Sequence, residues 1–279
     1  MRGSSSVYDA FLTKQVLKQE YVSLGKSMPT IGAQFGIDRN TIAVYLQRYG
    51  IARRSASENH RRYRRVDVRP FLELTSDQAA YWLGFLAADG CVYRWRNSLG
   101  FRLKLSSKDF QHLRRFRRLL RTDTPTPLRH GQGYSWVQIE IWDKQFTDAL
   151  ARWSIIPNKA RNLTFPKQLP PSLIPAYIRG YFDGDGTVYR RRTFYKGTQR
   201  NETVCRFISS STSFLTDLAI ILNEHGIVTH KMYRNQKSNA FFLPLSGKRD
   251  NLRRFSDYLY AGSTCSLARK RTIFQEAAA

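Results

Sequence analysis

The chain has 279 residues, 42% hydrophobic and 13% aromatic, which is enough for a buried core and more than one average domain, so two domains are expected. No run reaches the roughly 18 apolar residues of a membrane helix, and no apolar signal core follows Met1, which argues against export or membrane insertion and for an intracellular, cytoplasmic or nucleoid-associated protein. The 46 Lys plus Arg against 21 Asp plus Glu leave a net charge of +25, a self-repulsion that calls for an anionic partner, and nucleic acid is the one expected.

The basic residues are not a tail: residues 1–70 hold 13 basic and 5 acidic side chains, residues 71–279 hold 33 and 16. Cys91, Cys205 and Cys265 are far apart, with no CxxC pair and no neighbouring histidine, which removes a disulfide framework and a structural zinc site. Residues 1–6 and Ala277, Ala278 and Ala279 have the look of leader sequence and are left out of the fold argument.

The first module, residues 1–54, is predicted to be a small all-α domain. Pro29 fits the first turn of a helix that Phe35 and Gly36 end, and Asp38 is placed to cap the next, with Ile42 and Leu46 on one face. Ile37 before the cap and Ile42 inside it have hydrophobic-staple spacing. Two short helices around a glycine turn outline a helix-turn-helix, and the segment IGAQFGIDRNTIAVYLQRYGI resembles those of recombinases and of several homing endonucleases. In that geometry Arg39, Asn40 and Thr41 point at base edges, with Tyr45, Gln47 and Arg48 further along. Residues 55–70, with Arg61, Arg62, Arg64 and Arg65 around Tyr63, are expected to be an exposed basic linker able to follow phosphates.

The remainder is an internal repeat. YWLGFLAADGCVYRW at residue 81 recurs as YIRGYFDGDGTVYRR at residue 177, 96 residues on; Phe110 and Phe214 correspond at 104, and Lys159 and Lys270 at 111. Each half, 71–174 and 175–276, reads helix, strand, strand, helix, strand, strand, helix. Phe101, Leu103 and Leu105 alternate with Arg102 and Lys104, so the sheet has one greasy and one basic face. Base reading is expected from Arg94, Arg96, Arg102, Lys104, Gln138, Glu140, Arg190 and Arg192, while ETVCRFISS alternates too poorly for its outward face to be assigned. Tyr93, Trp95, Trp136 and Trp142 are expected to pack in the core or the hairpins.

Gly84 and Gly180 stand mid-helix, where glycine costs about 1 kcal/mol against alanine, and close helix-to-helix approach supplies the reason. If the two copies pack about a pseudo-twofold axis, Asp89 and Asp185 meet at the helix C-termini, each exposed to the other charge and to the negative dipole end. A divalent cation relieves both. Oxygen ligation completed by water suits Mg2+, with Mn2+ able to substitute, and such an ion activates water for phosphodiester hydrolysis.

WLGFLAADG and IRGYFDGDG resemble the two motifs of a monomeric LAGLIDADG homing endonuclease, over about residues 75–276. The resemblance implies an α+β fold of tandem αββαββα halves forming a pseudo-twofold saddle, double-stranded DNA as the partner with no protein partner required, and cleavage leaving 3′ overhangs. It also implies metal binding by Asp89 and Asp185, with the adjoining Gly90 and Gly186 counted in the metal site. Lys159 and Lys270 match the basic segment that closes each half beside the active-site water network; the other reading of both is plain surface. Ala87 stands where the first motif's earlier acid is expected, and Asp183 keeps it in the second; Arg179 replaces a small residue and is expected to disturb helix packing or reach a phosphate. A scaffold that binds DNA without cutting and an intron RNA maturase are the alternatives; Asp89 and Asp185 favour the nuclease, and the helix-turn-helix favours duplex DNA.

Overall fold

The computed structural model describes residues 7–55, 66–131, 133–195, 197–236 and 238–278. The chain divides into two compact units, Met1–Arg62 and Tyr63–Ala279, and each is taken by itself. Arg61, Arg62 and Arg64 lie outside the described residues.

In the first unit a 3-10 turn (Val7–Ala10) precedes α1 (Lys14–Leu17), which runs on as a π-helical stretch to Ser23, then α2 (Met28–Phe35) and α3 (Arg39–Arg48). Ser27 caps α2 by accepting from the Thr30 N–H, and Pro29 sits in its first turn, where no N–H is needed. Gly36 ends it at φ 68°, the left-handed conformation that favours glycine. A Cβ on Gly32 would lie 2.5 Å from the Ile37 carbonyl oxygen, so glycine lets the chain fold back tightly. Asp38 caps α3 through the Asn40 N–H at 2.7 Å, and Ile37 packs on the core that holds Ile42. Leu12, Leu17, Tyr21, Ile31, Ile42, Tyr45, Leu46 and Ile51 form that core.

The second unit starts with α4 (Arg69–Leu72). Its first half is α5 (Asp77–Asp89), β1 (Gly90–Trp95), β2 (Ser98–Ser106), α6 (Phe110–Leu119), β3 (Leu128–Gly131), β4 (Tyr134–Ile141), α7 (Lys144–Ala151) and a short α8 (Lys159–Asn162). The second repeats it: α9 (Ile174–Asp185), β5 (Thr187–Tyr195), β6 (Thr198–Ser209), α10 (Thr212–Glu224), β7 (Tyr233–Arg234), β8 (Phe241–Pro244), α11 (Arg249–Tyr260) and α12 (Ala268–Ala278). Both antiparallel sheets have the spatial order first, second, fourth, third strand, and the order of elements read from the repeat is observed with one further helix, α8 or α12, closing each half. The segment expected to be an exposed linker ends packed against this unit: the Asp67 N–H bonds the Leu120 carbonyl and Val66 and Val68 rest on the core.

In β2, Phe101, Leu103 and Leu105 are buried and Arg102 and Lys104 exposed, because antiparallel strands alternate faces and only one face meets the helices. The repeated helices α5 and α9 pack face to face. A Cβ on Gly84 would lie 1.9 Å from the Tyr177 carbonyl oxygen, and a Cβ on Gly180 1.8 Å from that of Tyr81. Reciprocal contacts between matching residues are what a pseudo-twofold axis generates, and they account for glycine inside both helices. No helix among the described residues is long and apolar enough to cross a membrane.

Candidate metal and nucleic-acid site

Asp89 and Asp185 are the last residues of α5 and α9, and the following Gly90 and Gly186 close the helices with N–H bonds to the Leu86 and Phe182 carbonyls. The helix ends are in contact: a Cβ on Gly184 would lie 2.4 Å from Ala88 Cβ and 3.4 Å from Asp89 Oδ2. Burial in the surrounding protein and then the Asp185 charge push the Asp89 carboxyl up to about 7, against the pull of Lys270 and Lys159. Its side chain keeps an opening to solvent, so water offsets part of that burial. Burial raises the Asp185 carboxyl too, again opposed by Lys159 and Lys270.

The two lysines come from matching places and do matching work. Lys159 Nζ donates to the Ala88 carbonyl at 2.8 Å, and Lys270 Nζ to the carbonyls of Phe182 at 2.6 Å, Gly186 and Gly184. Helix C-termini leave carbonyls without intrahelical donors at their negative ends, and a lysine ammonium satisfies both needs. The pair is not equal. An ammonium has three N–H donors. Buried Lys270 has all three directed at carbonyls, whereas half-buried Lys159 uses one. Burial lowers both, Lys270 to about 8.

Among the described residues no group of three or more His, Cys, Asp or Glu side chains is arranged to hold a metal ion. Two adjoining carboxylates supply part of an oxygen shell and leave the rest to water and substrate oxygens, a donor set that fits Mg2+. The Gly186 carbonyl oxygen already accepts from Lys270, which leaves it one further lone pair. The backbone of Gly90 and of Gly186 is extended, and a Cβ at either would strike the preceding turn of its helix, at 2.6 Å from the Leu86 oxygen or 2.3 Å from the Phe182 ring, so both glycines serve a tight helix-to-strand turn.

Asp183 is separate from this pair. It is buried and accepts from the Tyr81 hydroxyl at 2.8 Å, the Tyr260 hydroxyl at 3.1 Å and the Leu267 N–H at 2.6 Å, which joins the two halves. Tyr81 spends its proton on Asp183, so His112 Nε2, 2.9 Å away, is the donor to Tyr81, and burial keeps that ring neutral with its pKa near 3. Arg179 neither disturbs the helix packing nor reaches a phosphate. Its buried guanidinium pairs with Asp77 at 2.7 Å and donates to the Leu259 and Cys265 carbonyls. Sequence reasoning missed this second network, because Asp77, Tyr81 and His112 meet Asp183 and Arg179 only through the tertiary fold.

Register decides which side chains share a sheet face. In the first sheet Cys91, Arg102 and Glu140 form one cross-strand row of the open face, and Lys104 and Gln138 the next. Arg102, Lys104, Gln138 and Glu140 therefore stand together as expected. Arg94 does not: it pairs with Leu99, on the face of Val92 and Phe101. Arg96 lies in the hairpin turn at φ 52°. The aromatic residues expected to pack in the core or the hairpins stay out of the core and lie on or beside the hairpin strands, along the open face. Lys104 Nζ sits 4.0 Å over the Trp136 ring, Trp136 packs at a tilt against Tyr134, and Arg102 lies over Tyr93, which contacts Trp142; Trp95 is exposed.

In the second sheet Arg190 and Arg192 pair with Thr203 and Asn201 on the face of Val188 and Cys205, and Arg190 donates to the Glu276 carbonyl of α12, so both are corrections. The open face carries Tyr189, Arg191, Arg200, Glu202 and Arg206. Arg206 was missed although the 104-residue offset maps Arg102 onto it; its guanidinium lies 4.1 Å from the Phe242 ring centre. In the first unit Arg39 and Asn40 are exposed and Thr41 half-buried. Tyr45 faces inward and donates to Asp9 at 2.6 Å, so it offers nothing to a ligand, and Arg48 pairs with the same carboxylate at 2.7 Å while staying exposed. Asn40, Val44, Gln47 and Arg48 make the exposed stripe of α3.

Residues 172–260, covering α9 to α11, match the LAGLIDADG-like domain family. Similar solved structures include a mutant of I-SmaMI, 10% identical over 71% of this chain and 88% of that chain with a TM-score of 0.50. The LAGLIDADG meganuclease I-AabMI, recorded bound to uncleaved DNA, is 12% identical over 71% of this chain and 87% of that chain, also with a TM-score of 0.50. No curated protein matches the chain. With two sheets of one topology flanking a reciprocal glycine-mediated helix pair, residues 172–260 form a LAGLIDADG-like domain and the chain carries the fold of the LAGLIDADG meganucleases.

Proposed function

We propose that this protein is a monomeric, site-specific endonuclease of double-stranded DNA of the homing type, hydrolysing one phosphodiester on each strand with Mg2+, or Mn2+ in its place, and leaving 3′ overhangs. The observation that carries the reading is the placement of Asp89 beside Asp185 at the joined ends of α5 and α9, in a unit where both sheets expose basic residues on the face away from the helices. The DNA held by I-AabMI, which shares the fold, supports the choice of polyanion.

Asp89 and Asp185 hold the cation, which when bound supplies Lewis acidity at the scissile phosphate. Lys159, with two N–H donors uncommitted, orients the attacking water or a phosphate oxygen. Lys270 is a positioning residue that fixes the end of α9 and so the direction of Asp185. Arg102, Lys104, Gln138, Glu140, Arg191 and Arg206 face the DNA. Residues 1–54 extend the site through Arg39, Asn40 and Thr41, the basic residues Arg61, Arg62, Arg64 and Arg65 follow the phosphates, and the halves 71–174 and 175–276 each take one half-site.

The test is a supercoiled plasmid carrying a site selected from a randomised duplex library. The full chain with Mg2+ is expected to linearise it, and a chelator to stop the reaction. Asp89→Asn and Asp185→Asn are each expected to slow cutting of both strands by more than about a hundredfold, because each phosphate depends on both carboxylates. Duplex binding stays intact or tightens as a charge facing phosphates is removed. Efficient nicking by either variant would break the shared-site mechanism, and tight binding by the wild type with no metal-dependent cutting would leave a binding scaffold.

A further inference from the structure

The acidic residues on the open faces are the least expected feature of a protein with a net charge of +25. A carboxylate directed at phosphates opposes binding, so its place on such a face needs another partner. On the first sheet Glu140 is the register partner of Arg102, with Oε1 3.8 Å from the guanidinium. On the second, Glu202 is the register partner of Arg191, whose Nε and NH2 both reach Oε2 at 2.8 Å. In both pairs the arginine and the glutamate are substantially open to solvent. Only one oxygen of each carboxylate is engaged, which leaves the other as an acceptor, and each guanidinium retains uncommitted N–H donors.

An arginine beside a glutamate on adjacent strands is a donor fork beside an acceptor. The major-groove edge of a G·C pair offers the complement: guanine N7 and O6 accept, and the cytosine N4 amine beside them donates. Gln138 steadies the first pair. The Trp136 indole N–H is a donor only and claims the Gln138 carbonyl at 3.0 Å, so the Gln138 amide turns toward Glu140.

We infer that Arg102 with Glu140, and Arg191 with Glu202, are two readers of G·C pairs, one per half-site, set at unequal distances from the cleavage centre. The inequality comes from register. Arg102 shares a row with Cys91, two residues beyond Asp89, and the matching row of the second sheet is Thr187 with Arg206. Arg191 stands four residues further along β5 than Thr187. At about 3.4 Å per residue that is roughly 14 Å, or about four base pairs of duplex. The G·C position is therefore close to the centre in the first half-site and about four base pairs further out in the second.

This inference rests on the reading of the chain as a duplex-DNA binder. The test is selection by the full-length chain, in a chelator, from a duplex library randomised across the site, followed by the same selection with Glu140→Ala and Glu202→Ala. Unchanged thermal transitions establish that both variants fold. The wild type is expected to enrich two G·C positions with the stated asymmetry. Glu140→Ala should weaken the inner preference by at least about fivefold and leave the outer one, and Glu202→Ala the reverse. A profile that both variants leave unchanged, or a uniform rise in affinity for all sequences, would overturn the inference and make the glutamates plain surface charges. Enrichment of no duplex at all by the wild type would instead remove the DNA-binding reading beneath it.

Discussion

At the end of α5, Lys159 makes one bond, to the Ala88 carbonyl, and remains partly open to solvent, and position 87 is an alanine. At the end of α9, Lys270 is buried against three carbonyls, and Asp183, at the position matching Ala87, accepts three hydrogen bonds from Tyr81, Tyr260 and Leu267. Both ends present the same carboxylate. The comparison teaches that the repeat duplicates the reacting group without duplicating its support: the second half is a rigid seat and the first is held more lightly, with ammonium donors left over for chemistry.

The lysines break or sharpen this contrast with the largest expected effect. Lys270→Met removes the side-chain donor to three carbonyls at the end of α9, two of them buried, and is expected to cost about 3 kcal/mol, a fall in Tm on the order of 10 °C, whereas Lys159→Met costs about 1 kcal/mol and acts mainly on the rate of cutting. Thermal melts beside single-turnover cleavage separate the two. Equal losses of Tm would mean that the two ends are held alike.

A smaller effect concerns pH. Asp89 in the folded protein has a pKa of about 7 against 3.8 as its ordinary value, so the folded state holds the extra proton between them. Stability from this residue is full below the lower value and is lost as pH rises through about 7. Solvent access discounts the amount to about 1 kcal/mol, or some 2–4 °C in Tm. In a chelator the wild type should melt lower at pH 8 than at pH 5 by that margin, Asp89→Asn should flatten the difference, and Mg2+ should restore the lost stability at pH 8. A wild-type Tm that rises over this interval would contradict the crowding of the two acids.

The remaining effect is expected far from the chemistry. The double change Arg39→Ala with Asn40→Ala should shorten the footprint and weaken binding by about tenfold, while bound DNA is cut at an unchanged rate. Slower cutting of DNA already bound would tie the first unit to catalysis. Tyr45→Phe, by contrast, should leave the footprint alone, because its hydroxyl is committed to Asp9.

Most of the fold was legible in the sequence. Asp38, Gly36 and Pro29 act locally, through capping and backbone preference, so their roles could be read without a structure and were observed. Gly84 and Gly180, placed mid-helix at a cost, announced the close crossing of two helices. The open face of β2 followed from its alternation. The run of three arginines from Arg190 to Arg192 gave no such guide, since no apolar residue among them marks the inner face, and the wrong two were chosen. Tyr45 was misplaced for a related reason: an amphipathic side chain can face either way on a helix, and only Asp9, 36 residues earlier, decides.

By itself, then, the amino-acid order determined what depends on neighbours in the chain and on repetition: the helix caps, the two-fold recurrence of helix and strands, the paired aspartates and the basic balance that asks for a polyanion. Tertiary structure alone decided what depends on residues distant in sequence coming within a few ångströms. It turned Arg179 into a buried tie to Asp77, joined Asp183 to Tyr81 and His112, set Glu140 beside Arg102 and Glu202 beside Arg191, and gave Lys270 three carbonyls where Lys159 has one. Hydrogen bonds and ion pairs act over distances shorter than a side chain, so the strand register and helix contacts that set those distances had to exist before such pairings could be read.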